Sequence, residues 1–200
     1  LLEDRFQTAF AGKYRSVFLA NQGPLEDRLE DLKVAVAEVY ASTLHPDPIS
    51  YRQRHQLIDY QEHMAVLIQK IVGRRIGRYF LPSWAGDDFS RNPYRRNPRI
   101  KPEDGMARVV FGLGTRAVDR VSSDFPRILA LGMPALKPEV KTRDVIQAGQ
   151  KMVDVIDLEK RAFARVQVSD ILDQQERIPH LNLVFSGLEH GFLKPLMGDG

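Results

Sequence analysis

Cysteine does not occur in this chain of 200 residues. Disulfide bridges and thiolate metal sites are therefore excluded, and the absence suits a reducing, cytoplasmic setting. No apolar run approaches the roughly 18 residues of a membrane span, so no membrane partner is expected. The first residues carry no basic-then-apolar leader pattern. Histidine is sparse. His45, His55, His63, His180 and His190 show no metal-ligand spacing, which argues against zinc. Charge of one sign is not in large excess either. A formal net charge of +3 permits anionic substrates or nucleic acid and selects neither. Internal repeats and low-complexity tracts are missing, as are a Walker loop, a dinucleotide fingerprint and a nucleophile elbow.

What is present is the composition of a folded chain, 43% hydrophobic and 28% charged, long enough for one large domain or two small lobes. Leu25, Leu29, Leu32, Val36 and Val39 recur at helical spacing and predict a helix over Leu25–Thr43. Glu26, Asp27, Glu30 and Asp31 load its first turns with the charge that a helix dipole prefers, and Lys33 partly balances them. His45-Pro46-Asp47-Pro48 is expected to stop it. A second, shorter helix is expected over Arg52–Tyr60.

Met64–Val72 is apolar and rich in branched residues, which predicts a largely buried strand closed by Gly73. Loops around short strands are expected from Arg74 to Arg99, with Tyr79–Leu81 and Asp88–Ser90 as strand candidates. Ala107–Phe111 predicts a strand entering Gly112-Leu113-Gly114. Met152–Leu158 and Phe163–Val168 predict a hairpin turning at Glu159-Lys160-Arg161. Leu181–Phe185 is the last strand-sized run. Strands, helices and long loops in this mixture argue for an α+β fold.

Two glycine elements are candidates for ligand contact. Gly12, with Lys13, Arg15 and Ser16 nearby, could bring backbone amides to a phosphate. Gly112-Leu113-Gly114-Thr115-Arg116 follows a strand, the usual place for a ligand-contacting turn. Taken alone, each also reads as an ordinary tight turn. Arg74, Arg75, Arg78, Arg91, Arg95, Arg96 and Arg99 could read phosphates or cover a surface. Little aromatic interleaving accompanies them, which argues against nucleic-acid binding.

Several elements occur in the order found in the nucleotide-binding domain of the phosphoenolpyruvate synthase and pyruvate phosphate dikinase family. Glu3-Asp4 matches an acidic pair. Ala9-Phe10-Ala11-Gly12-Lys13-Tyr14-Arg15-Ser16 matches a glycine loop. Ala41-Ser42 closes a helix, and Tyr51-Arg52 follows. Val66-Leu67-Ile68-Gln69-Lys70-Ile71-Val72 matches a strand with a central glutamine. Ala85-Gly86-Asp87-Asp88-Phe89-Ser90 and the Gly112-Leu113-Gly114 turn, with Val118 beyond it, complete the series. The chain resembles this family from Leu2 to Val121.

The resemblance implies an ATP-grasp-like nucleotide-binding domain that begins inside the family's domain and lacks its first lobe. Residues 1–121 would form part of that domain and 122–200 its strand-rich continuation. It implies a kinase-type transferase that cleaves ATP and passes phosphate to a histidine, to pyruvate or to another small acceptor, with ATP and Mg2+ as cofactors. Gly12 and Ser16 would lie over the phosphates, Gln69 near the adenine, and Gly112 and Gly114 at the ligand-contacting turn. Arg116 would be the catalytic residue that meets phosphate oxygens, exposed at a strand end. The metal ligands are not assigned. Ala107 stands at the family's metal-binding glutamate and Thr115 where a glutamate often follows the turn. Asp87 and Asp88 replace small or apolar residues. Glu103, Asp104 and Asp119 lie nearby in sequence. Those departures leave open an inactive regulatory or interaction domain of the same fold. The arginines of residues 74–99 leave open an RNA-binding module.

Overall fold

The computed structural model describes residues 13–59, 63–94, 97–118, 124, 126–134, 142–147, 149–174, 178, 185–189 and 192–195. The chain divides into two compact units, Leu1–Lys70 with Leu158–Phe163, and Ile71–Asp157 with Ala164–Gly200. The fold is mixed α/β.

In the first unit, helix α1 spans Leu25–Ala41, with Glu26 and Asp27 in its first turn. Its apolar stripe is only partly covered. Ala35 is buried, whereas Leu25 and Leu29 face solvent. A 3-10 turn, Ser42–Leu44, ends the helix. The His45-Pro46-Asp47-Pro48 cluster does more than stop α1, because helix α2 begins within it and spans Pro46–Arg54. Proline at the first helical position has no amide hydrogen to waste there, and its fixed φ suits the start of a helix. The second helix therefore lies earlier than the predicted Arg52–Tyr60.

The predicted strand at 64–72 is a correction. No regular structure forms there, and Leu67 and Val72 are 81% and 86% exposed. Hydrophobicity describes what a segment would bury. It becomes a strand only where a neighbouring ladder accepts its hydrogen bonds.

The second unit holds the sheets. Strands β1 (Arg74–Ile76) and β2 (Tyr79–Leu81) form a tight antiparallel hairpin, Ile76 opposite Tyr79. Gly77 turns it with φ +56°. Strand β3 (Ala85–Phe89) pairs antiparallel with β4 (Met106–Val110), which pairs antiparallel with β5 (Arg127–Ala130). A short helix α3, Thr115–Val118, follows the glycine turn, and α4 spans Thr142–Gln147. Strands β6 (Met152–Asp157) and β7 (Ala162–Gln167) are the expected hairpin. They complete a sheet of order β1-β2-β6-β7, with β2 antiparallel to β6. Helix α5, Val168–Leu172, leaves β7 directly. Of the run at 181–185, only Phe185 is among the described residues. Strands β8 (Ser186–Glu189) and β9 (Phe192–Pro195) follow as an antiparallel pair.

The core of this unit is built by Ile76, Tyr79, Leu81, Phe111, Val153, Val155, Val168, Ile171 and Ile178, with Phe185 packed against it. Phe111 and Phe185 meet edge to face at 5.1 Å, an arrangement that the ring quadrupoles favour. Val153 and Val155 project from one face of β6, and period-two alternation puts Asp154 on the other. Phe111, the residue before the glycine turn, thus fastens that turn to the core.

Candidate functional site

Separate parts of the sequence converge on the loop after Gly12. Gly12 itself lies outside the described residues. The Arg15 amide donates to Ser42 Oγ at 3.0 Å, and that hydroxyl donates to the Val39 carbonyl at 2.6 Å. Ser42 is fully buried. The Arg15 side chain reaches Glu38 at 3.5 Å. The Lys13 ammonium stands 5.7 Å from the centre of the Tyr51 ring, within cation–π range. Arg52 Nη2 donates to the Thr43 carbonyl at 2.9 Å, tying α2 to the 3-10 turn that follows α1. Ala41-Ser42 and Tyr51-Arg52 therefore support this loop. Ser16 and Gln69, in the same unit, are both exposed.

Gly112 and Gly114 lie in the second unit and differ in kind. Gly112 has φ +88°, and a Cβ there would come within 2.3 Å of Val153 Cγ2 and 2.7 Å of the Asp154 carbonyl. Only glycine fits such a backbone at such a distance. The Leu113 amide then donates to the Asp154 carbonyl at 2.9 Å. Gln150 closes the strand end, accepting from the Phe111 amide at 2.8 Å and donating to the Phe111 carbonyl at 2.9 Å and the Met152 carbonyl at 2.8 Å. Gly114 is under no such constraint. A Cβ there would meet Ala85 Cβ at 3.4 Å, an ordinary contact. The turn is pinned at its first glycine and free of collision at its second.

Arg116 is not at the surface. It is 2% exposed, which corrects the expectation of a solvent-facing residue at a strand end. Its Nη2 donates to Asp124 Oδ2 at 2.6 Å, and its Nη1 lies 3.7 Å from Asp154 Oδ1. Nε and Nη1 find no hydrogen-bond acceptor among the described residues. Asp124 also accepts the Lys151 amide at 3.0 Å and the Met152 amide at 2.9 Å. Asp154 is wholly buried. It accepts Thr115 Oγ1 at 2.7 Å and two bonds from Arg165, at 2.7 and 3.1 Å. Two carboxylates and two guanidiniums thus share one site, formally neutral, and charge pairing makes the burial tolerable.

Asp124, Gln150, Asp154 and Arg165 were not singled out by the sequence reading. One signal was present. Met152–Asp157 carries two aspartates in an otherwise apolar strand, and a charge in a strand buried on both faces demands a partner.

The acidic replacements on β3 have distinct fates. Asp87 lies directly opposite Arg108 and takes two hydrogen bonds from its guanidinium, which also stands 4.8 Å over the Phe89 ring. Asp88 is exposed and lies opposite Ala107. Gly86, between these residues and Ala85, is required by the ladder itself. A Cβ there would fall 1.9 Å from the Arg108 carbonyl. Glu103 is exposed, and Asp104 accepts the Lys101 amide at 2.7 Å as a cap of its own short turn. Asp119 is outside the described residues. Among the described residues, no group of three histidines or carboxylates stands together in the manner of a metal site. No helix among them is long and apolar enough to cross a membrane.

A family model described as pyruvate phosphate dikinase, AMP/ATP-binding domain, matches residues 1–195. The match extends well beyond Val121, where the resemblance read from motifs ended. No curated protein and no solved structure matches the chain.

Proposed function

The chain belongs to the pyruvate phosphate dikinase AMP/ATP-binding domain family, and from that premise we propose that it is the ATP-binding part of an ATP-grasp-like, dikinase-type phosphotransferase. It cleaves ATP and passes the phosphoryl group to a histidine or to a small acceptor such as pyruvate. One observation carries the assignment to a site. The Gly112 turn is locked onto β6 by its positive φ and the Leu113 hydrogen bond, while a Cβ at Gly114 would meet only ordinary contact. A glycine turn held rigid at one end, with no side chain at the other, suits the close approach of phosphate oxygens to backbone amides.

In this reading Gly114 admits the phosphates, and Gly112 fixes the strand end that presents them. Gly12 and Ser16 are assigned to the phosphates, and Gln69 to the adenine, by the family resemblance alone. Transfer is mostly a matter of positioning and charge stabilisation. Arg116, held by Asp124 and Asp154, braces the turn from behind. Magnesium supplies charge neutralisation to ATP chemistry in general. The described carboxylates do not assemble into a preformed cage for it, and no step is assigned through it.

The test is calorimetric titration of the full-length protein with ATP and magnesium, with ADP as competitor. Binding heat that ADP suppresses is expected, and its absence sinks the reading. A second reading, a domain of this family without activity, is favoured by Arg116. That residue is committed to Asp124 and Asp154 and is not free for a ligand. ATP binding without any ATP-dependent phosphorylation of an acceptor would support it.

A further inference from the structure

We propose that Asp154 is a positioning residue for the nucleotide's phosphates, acting through the Thr115 hydroxyl. This rests on the reading of the Gly112 turn as a phosphate-contacting element. Asp154 meets the turn along most of its length. Its carbonyl accepts the Leu113 amide and blocks any side chain at Gly112. Its carboxylate accepts Thr115 Oγ1 at 2.7 Å and lies 3.7 Å from Arg116 Nη1. Arg165, from the neighbouring strand β7, holds both carboxylate oxygens from the other side. The carboxylate therefore has little freedom to rotate, and the hydroxyl bound to it fixes the first residue of α3 relative to β6.

Stability alone is a poor reason to place a carboxylate here. A buried ion pair is often matched by apolar residues of similar volume. A charged acceptor held from two sides does give a directional anchor, which apolar packing lacks. Gly114, where a Cβ would meet only ordinary contact, lies between Leu113 and Thr115, the two residues that Asp154 ties down. Its backbone is set by bonds on either side, both running to the same residue of β6.

Two variants test this on the full-length protein, Asp154→Asn and Thr115→Val. The second removes only the hydroxyl donor and leaves Asp154 paired with Arg165, so it serves even where Asp154→Asn fails to fold. Affinities for ATP and for adenosine are measured by calorimetry beside thermal melting. Thr115→Val is expected to weaken ATP by about tenfold, the loss of one hydrogen bond to a charged group. Adenosine, which lacks phosphates, is expected to bind all variants alike. Thr115→Ser, which restores the hydroxyl, recovers ATP affinity. Asp154→Asn and Thr115→Val combined are expected to lose less than the sum of their separate effects, since both break one coupling. Equal losses for ATP and adenosine, or unchanged ATP affinity in Thr115→Val, would overturn the proposal while leaving ATP binding by the domain intact. Absence of ATP binding by the unaltered protein would instead overturn the functional reading and this inference with it.

Discussion

Arg116→Ala offers the sharpest test of how the glycine turn is built. The guanidinium is buried between Asp124 and Asp154. Deleting one member of a buried ion pair typically costs about 3–5 kcal/mol, because the partner charge stays behind uncompensated. The structure places this case near the lower end. Asp154 keeps Arg165 and Thr115, and Asp124 keeps the Lys151 and Met152 amides. The two donors of Arg116 that lack acceptors among the described residues also mean that less hydrogen bonding is lost than a saturated arginine would forfeit. A loss of about 3 kcal/mol corresponds to a fall in melting temperature of about 6–12 °C for a chain of this size. Differential scanning calorimetry or circular dichroism measures it. Arg116→Met combined with Asp124→Asn removes both charges of that pair and is expected to melt closer to the unaltered protein than Arg116→Met alone. A melting temperature for Arg116→Ala within about 1 °C of the unaltered protein would refute the network, since an exposed arginine makes only a marginal contribution.

Gly112→Ala is expected to lower the melting temperature by at least as much as Arg116→Ala or to prevent folding, since it demands φ +88° and a 2.3 Å approach to Val153. Gly114→Ala meets only ordinary contact and is expected to leave stability within about 1 kcal/mol, while calorimetry shows weakened ATP binding. Ser42→Ala strands the Arg15 amide and is expected to cost about 1–2 kcal/mol by denaturant titration. Gly86→Ala is expected to disrupt the β3–β4 ladder, where its Cβ would collide with the Arg108 carbonyl. Amide exchange would show this as lost protection along β4.

Local chemistry determined much of this protein from sequence alone. Periodicity placed α1, and the branched runs on either side of Glu159-Lys160-Arg161 placed the β6–β7 hairpin, because both features are written within a few residues of one another. Glycine also spoke locally, marking the turn at 112–114, whereas the tight ladder position at Gly86 emerged only from the strand pairing. Family membership was legible from the order of short motifs, and the full match reached residue 195. Tertiary structure decided what depends on distant partners. The segment 64–72 has the composition of a buried strand, yet Leu67 and Val72 are exposed. Composition states a preference, and pairing comes from elsewhere in the fold. Arg116 read as a surface residue because arginine usually is one. Asp124, a few residues on, and Asp154, far along the chain, brought it inside by neutralising its charge. Which carboxylate holds which guanidinium, and which hydroxyl holds the glycine turn, is set only when strands from different parts of the chain are brought side by side. Charge burial is then possible only where opposite charges arrive together.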